Sequence, residues 1–245
     1  NEQGAPMDSD TARTLKLASA GAVILALPSI ALAGPTWDVD YTEDAKQSAG
    51  DAQVITHGLE PYINIFGRLS GYGFTGDSDF VDMYQIEITS QTLVSISTAG
   101  GLLGGSANFN TQLFIFKRKG GNGNNVRAVA MRANNDAAWG NLGSRIGDEF
   151  DPTSDYTVLS PGFYYLAITG VGTTAVDDAG SSIWSDLTSP GLTVAGNEVH
   201  LGNWAGQGEV GEYHIRLHAL GGNPIPAPGS LALLALAAGV RRRRR

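Results

Sequence analysis

From residue 59 to residue 222 the chain is a succession of short stretches in which every second residue is apolar. "DFVDMYQIEIT" is the cleanest: Tyr84, Ile86 and Ile88 share one face, and Gln85, Glu87 and Thr89 the other. A two-residue period is that of a half-buried β-strand. "PYINIFGRLS" precedes it. "TLVSIST" follows with Val94 and Ile96 inward. "GEYHIRLHAL" closes the series, with Tyr213, Ile215 and Leu217 opposed to His214, Arg216 and His218. "TQLFIFK" and "GFYYLAITG" are apolar on both faces, which predicts central strands. "GGNGNN" makes a turn into "VRAVAMR". Seven or eight short strands with Gly- and Asn-rich joints and no helix between them predict an all-β domain, a two-sheet sandwich or a barrel. Residues 34–58, with Asp38, Asp40, Glu43, Asp44 and Asp51, read as a polar linker or a peripheral strand.

Composition narrows the function more than the fold. The chain has 245 residues, room for one sizeable domain, and its 33 glycines suit a turn-rich β protein. The formal charge is -8, and five of the basic residues are the terminal arginines. No basic face is left for nucleic acid. There is no cysteine, which removes disulfides, thiolate catalysis and Cys-based zinc sites.

The two ends depart from this pattern. Arg13 and Lys16 precede "LASAGAVILALPSIALA", and Ala31-Leu32-Ala33 gives a small-x-small site. Residues 1–33 therefore read as a secretory signal starting at Met7, cut after Ala33 by signal peptidase. Residues 223–245 run "PAPGSLALLALAAGVRRRRR" after a short lead: Pro226, Pro228 and Gly229, a short apolar run, then arginines. Arginines stay on the cytoplasmic side of a membrane, so this order predicts a transient C-terminal anchor. It resembles the PEP-CTERM sorting signal of exosortase systems, with Ala227 where that signal usually has Glu. The resemblance implies a short transmembrane helix, processing by an exosortase-like protease, and delivery to the cell envelope surface or the extracellular space.

The strand series resembles a second family, the bacterial pre-peptidase C-terminal domain. "GDSDFVDMYQIEI" matches that family's Asp-x-Asp-x-Tyr-x-Phe strand at Asp82 and Tyr84, with Phe80 and Ile86 as departures. "LFIFKRKGG", "AVAMRANND" and "LSPGFYYLAITG" follow in the family's order, the last fitting at Pro161, Gly162, Tyr164 and Tyr165. The resemblance implies a jelly-roll-like β-sandwich of about eight antiparallel strands over 59–222. It also implies a non-catalytic role, with matrix polymers or calcium bound in some relatives.

Candidate chemistry is sparse. Asp77, Asp79 and Asp82, joined in space by Asn134, Asn135 and Asp136, have the oxygen-rich composition that calcium takes. Asp148, Glu149, Asp151 and Asp155 form a second such group. In both groups the simpler reading is that Asp and Asn accept backbone hydrogen bonds in turns. His214 and His218 are four strand residues apart, about 13 Å, too far to share one ion. His57 and His200 have no clustered partner, and no Gly-x-Ser-x-Gly elbow is present. The long interval between Gly170 and Gly211 holds Trp184 and Trp204 near Asp177, Asp178 and Asp186. Exposed, these tryptophans stack on sugar rings; folded back, they cap the open end of the sandwich.

The expectation is a non-catalytic structural or adhesive protein of the surface or extracellular matrix. The alternative is a calcium-assisted module that binds carbohydrate or protein through residues 171–210, with an extracellular polysaccharide or matrix protein as partner.

Overall fold

A computed structural model of the chain describes residues 45–55, 62–72, 78–101, 104–120, 126–147, 157–185, 187 and 194–220. They form sixteen strands. In chain order these are β1 (Gln53–Val54), β2 (Tyr62–Leu69), β3 (Gly71–Tyr72), β4 (Ser78–Asp79), β5 (Val81–Ile88) and β6 (Thr92–Ser97), then β7 (Ser106–Ala107), β8 (Thr111–Gly120), β9 (Val126–Asn134), β10 (Arg145–Ile146) and β11 (Thr157–Leu159), and last β12 (Gly162–Gly170), β13 (Thr174–Val176), β14 (Val194–Ala195), β15 (Asn203–Ala205) and β16 (Gly211–Leu220). One sheet has the order β1-β5-β12-β8-β9-β14. The second has β10-β6-β16-β2, with β11 also on β6 and β7 on β16. Two small ribbons, β3-β4 and β13-β15, complete the set.

This is an all-β, multi-sheet fold compatible with a β-sandwich, and it corrects the expected one in three respects. The strands number sixteen rather than about eight. They are not all antiparallel: β1 runs parallel to β5, with Gln53 opposite Tyr84. No α-helix occurs among the described residues, so neither expected terminal helix is part of the described fold, and no described helix is long and apolar enough to cross a membrane. Among the described residues nothing therefore supports the transmembrane helix or the membrane-anchored localisation. The segments that carried both expectations, with Ala31, Ala33, Pro226, Pro228 and Gly229, lie outside the described residues.

The strand pattern explains the layering. Tyr84, Ile86 and Ile88 of β5, Leu113 and Ile115 of β8, and Tyr164, Leu166 and Ile168 of β12 pack against Ile63, Ile65, Val94, Ile96, Tyr213, Ile215 and Leu217 of the second sheet. The alternation places one residue in two there, as the two-residue period requires. The opposite face of the first sheet is apolar as well. Phe114, Phe116, Tyr165, Ala167 and Met83 point outward into a second cluster with Ala175, Ile183, Trp184 and Leu187. Residues 174–185, with Leu187 and 199–205, thus form a third layer on the first sheet, and β8 and β12 are two-faced because both faces are covered.

Glycine lets the backbones close up in this region. A Cβ on Gly196 would stand 2.4 Å from the Ala130 backbone, and one on Gly202 2.5 Å from that of Asp177. Either contact is shorter than any real Cβ approach, so an alanine at Gly196 would push the chain off the edge of β9, and one at Gly202 would part the strands of the β13-β15 ribbon. Edge bonds then fix the layer: Ala130 N–H donates to the Val199 carbonyl at 2.9 Å, and Leu201 N–H to that of Ala128 at 2.9 Å.

Candidate functional site

The third layer and the N-terminal segment 45–55 meet over the start of β9, and a cleft of about 420 Å³ opens between them. Its lining includes Gln47 and Asp51 from the N-terminal segment, Arg127 from β9, and Asp178, His200, Asn203 and Trp204 from the third layer. Each wall is held from below. The Ser48 hydroxyl donates to Asp51 Oδ2 at 2.8 Å and accepts the Asp51 N–H at 3.3 Å, which closes a turn. Trp204 Nε1–H donates to the Gln47 carbonyl at 2.9 Å. The Trp204 ring meets Phe114 edge-on, with centroids 5.3 Å apart and planes at 69°. It also meets Phe116 edge-on, at 6.0 Å, so the indole is fixed by one hydrogen bond and two aromatic neighbours, the amphipathic use that suits Trp at a wet boundary. His200 Nδ1 is buried and has no hydrogen-bond partner, so one polar atom of the cleft wall is unsatisfied by the protein.

Chemically the cleft is mixed. Two carboxylates and a guanidinium stand around an indole, with an imidazole and an amide at the margin. Ligand sites commonly combine an apolar wall with a few convergent polar groups. Among the described residues, no three His, Asp or Glu side chains are placed to hold a metal ion.

The two tryptophans of the long interval separate. Trp184 is only 4% exposed and packs on Phe114 and Phe116 with centroids 5.3 and 5.5 Å away. It is a plug of the second core, with no face left for a sugar. Trp204 is half-buried and lines the cleft. Asp186 lies outside the described residues. Asp177 folds its Oδ1 onto the N–H groups of Ala179 (2.9 Å) and Ser181 (2.8 Å), the local bond that makes Asp a turn residue.

The expected calcium group does not assemble. Asp82 pairs with Ile168, Ile168 with Leu113, and Leu113 with Asn134, in one row across the first sheet. Asp82 and Asn134 are thus three strand spacings apart, about 14 Å, whereas calcium holds its oxygens at about 2.3–2.6 Å. The members are otherwise engaged. Asp79 Oδ2 accepts from the Ser70 N–H and hydroxyl, both at 2.6 Å. Asp82, fully buried, accepts the Tyr213 hydroxyl at 2.5 Å, and the Tyr84 hydroxyl lies 2.5 Å from that of Tyr213. Asn134 Oδ1 accepts the Arg145 N–H at 2.7 Å, and its Nδ2 donates to the Asp136 carbonyl at 3.3 Å. Asn135 Oδ1 and Asp136 Oδ1 are buried without a hydrogen-bond partner. Burial pushes the Asp136 carboxyl above its ordinary range. Asp77 and the acidic group 148–155 lie outside the described residues.

The strand histidines are packing residues. His214 stacks on Phe66 at 4.2 Å and 11°, and its Nε2 lies 2.9 Å from Asn64 Oδ1. His218 stacks on Tyr62 at 4.2 Å.

No family model matches the chain. No curated protein matches it significantly. The PEP-CTERM and exosortase assignment, and with it the sorting signal and signal peptide, therefore gains no support from homology. The pre-peptidase likeness stands only as an all-β architecture.

Sequence reasoning missed most of the cleft. Gln47 and Asp51 come from the stretch read as a linker, and Arg127 from the edge of a strand. His200 had no neighbour along the chain. It also missed Trp139, which is 88% exposed. Its one signal was the "AWGN" run, a large aromatic beside a turn glycine.

Proposed function

We propose that this chain is a non-catalytic binding domain whose third layer forms a carbohydrate site. The observation that supports it is the cleft itself, in which Trp204 stands beside Asp51, Asp178, Arg127 and Asn203. A sugar has an apolar C–H face for an indole and hydroxyls that both donate and accept. A cleft of mixed charge serves those hydroxyls better than it serves an anion or a cation. The pre-peptidase resemblance points the same way, since some members of that family bind matrix polymers. An adhesive or structural role follows from such binding without any chemistry on the ligand.

Calorimetry with soluble xylan, dextran and hydroxyethylcellulose tests the proposal. At least one polymer is expected to bind. Asp178→Asn and Arg127→Ala, both at exposed positions, are expected to weaken binding about tenfold each, since each removes a charge-assisted hydrogen bond. Binding that survives the two changes together rules out the cleft, and absence of any heat with the wild type rules out the carbohydrate reading.

A further inference from the structure

The two large sheets have four edges, and the chain caps three of them itself. On the first sheet, β5 is covered by β1 and its flanks: Ile55 N–H donates to the Gln85 carbonyl at 3.0 Å, and Met83 N–H to that of Lys46 at 2.9 Å. At the other end β9 takes β14, and Gly196 N–H donates to the Met131 carbonyl at 2.6 Å. On the second sheet β10 and β11 lie along β6, and Thr98 N–H donates to the Ser144 carbonyl at 2.9 Å. The fourth edge is β2. It is 8 residues long, and among the described residues its only strand partner is β16. Among those residues no backbone hydrogen bond reaches its outer side.

A long edge with unpaired N–H and C=O groups is a template for another strand unless charge, proline or a bulge blunts it. Pro61 precedes β2 and Arg68 stands near its end. Between them, Tyr62 to Phe66 carry neither charge nor proline, and the register with β16 runs unbroken, so no bulge turns the edge away. The side chains are already set. Ile63 and Ile65 are buried in the core. Tyr62 stacks on His218 and Phe66 on His214, each at 4.2 Å, and Asn64 Oδ1 lies 2.9 Å from His214 Nε2. A loose peptide that adds to an edge is selected by pockets for its alternate side chains. Here the alternate positions are turned onto β16 or into the core. A flat, rigid edge of this kind suits a second flat, rigid edge.

We propose that β2 pairs antiparallel with β2 of a second copy of this chain, across a two-fold axis at Ile65. Residues directly opposite on antiparallel strands share a face of the sheet, so the axis passes through a residue, and Ile65 is the central one that keeps most of the strand paired. Ile65 then meets Ile65 of the second copy, Ile63 meets Gly67, Asn64 meets Phe66, and Tyr62 meets Arg68. Core-facing residues oppose core-facing residues. The strand's one charge, Arg68, falls beside Tyr62 rather than beside another charge. The second sheets of the two copies continue as β10-β6-β16-β2-β2-β16-β6-β10, and the contact closes on itself because each copy uses the same surface. Both copies carry a net charge of -8, so added salt, which screens their repulsion, is expected to tighten the pair.

Sedimentation velocity of the full chain over a range of concentrations is the test, with hydrogen exchange at residues 62–68 beside it. The wild type is expected to be a monomer in equilibrium with a dimer, and the β2 amides to exchange more slowly as concentration rises. Tyr62→Arg sets two pairs of arginines opposite each other across the axis and is expected to weaken the dimer about tenfold. Adding Arg68→Glu to that variant is expected to restore it. The two positions lie about 20 Å apart within one chain, so they can pair only between copies, and restoration supports the register. A wild type that stays monomeric at every concentration overturns the proposal. So does a dimer that Tyr62→Arg leaves unchanged, a loss that the double variant does not restore, or an open-ended series of oligomers. If Tyr62→Arg fails to fold, exchange in the wild type decides, and β2 amides indifferent to concentration overturn the pairing. Polymer binding at the cleft is measured separately, so either proposal can fail without the other.

Discussion

The first sheet is covered on both faces, and the two covers are built differently. The inner cover is another sheet. Its residues arrive by strict alternation, and Ile65, Ile96, Ile215 and Leu217 meet Tyr84, Leu113, Leu166 and Ile168 side by side. The outer cover is a glycine-rich segment with little regular structure, which fills the same kind of space with a few large side chains. Trp184 and Trp204 both lean on Phe114 and Phe116. A sheet covers a sheet evenly. A coil weighted with tryptophans covers it unevenly, and the uneven rim over β9 is where the cleft opens. The second sheet offers a third case: its outer face carries Tyr62, Phe66, His214, Arg216 and His218, which shield one another by stacking, with the Arg216 guanidinium 4.1 Å over the Tyr62 ring.

The sharpest way to break the comparison is to remove a plug from each cover. Trp184→Ala is expected to cost about 3–5 kcal/mol, and Leu217→Ala about 2–5 kcal/mol, by urea unfolding. A loss below about 1 kcal/mol for Trp184→Ala would show that the third layer is not part of the cooperative fold.

Backbone contact comes next. Gly202→Ala is expected to cost about 1–3 kcal/mol, because its Cβ meets the Asp177 backbone and the layer must move. Hydrogen exchange should speed up across 174–205 while β5, β12 and β16 stay protected. Equal acceleration in both covers would mean that they unfold as one unit.

The buried bond from Tyr213 to Asp82 ties the two sheets together. Tyr213→Phe removes the donor and is expected to cost about 1–3 kcal/mol, measured in the same unfolding experiment. No loss would show that the inner cover is held by apolar packing alone.

The smallest effect concerns the uncovered face. Desolvation, and then the charge of Arg216, lower the His214 pKa from its ordinary value. The fold then binds fewer protons than the unfolded chain, so this contribution is fully present above the ordinary histidine value near 6.5 and is lost as pH falls toward the lower folded value. Unfolding of wild type and His214→Gln at pH 7.5 and 5.5 should show a slightly steeper acid loss in the wild type. Equal slopes would mean that the imidazole is better solvated than its stacking on Phe66 suggests.

Much of the strand series is legible in the residues. The alternation in "DFVDMYQIEIT" and "GEYHIRLHAL" marks which side chains point inward in β5 and β16, and the two-faced apolarity of β8 and β12 marks them as central. The short strands escaped because two-residue pairings carry no period: β1, β7, β10 and β14 exist through their neighbours. The site was legible only in part. Trp204 stood out as a large aromatic in a long interval. Nothing along the chain separated it from Trp184, since burial depends on where each indole lands relative to Phe114 and Phe116. The calcium group failed for a similar reason. Asp82 stands at the start of one strand and Asn134 at the end of another, but β12 and β8 stand between them, and strand order is not written in strand pattern.

The sequence by itself determined that the strand series between residues 59 and 222 is all-β, which faces its long strands bury, and that the chain has neither thiols nor a basic face. These properties follow from local period and from counting. Only the tertiary structure decided the order of strands, the parallel entry of β1, the third layer over the first sheet, and the separation of one tryptophan into the core from another at a cleft and a third at a bare turn. Those outcomes depend on contacts between residues far apart in the chain, where free energy is settled by what is covered and by what covers it.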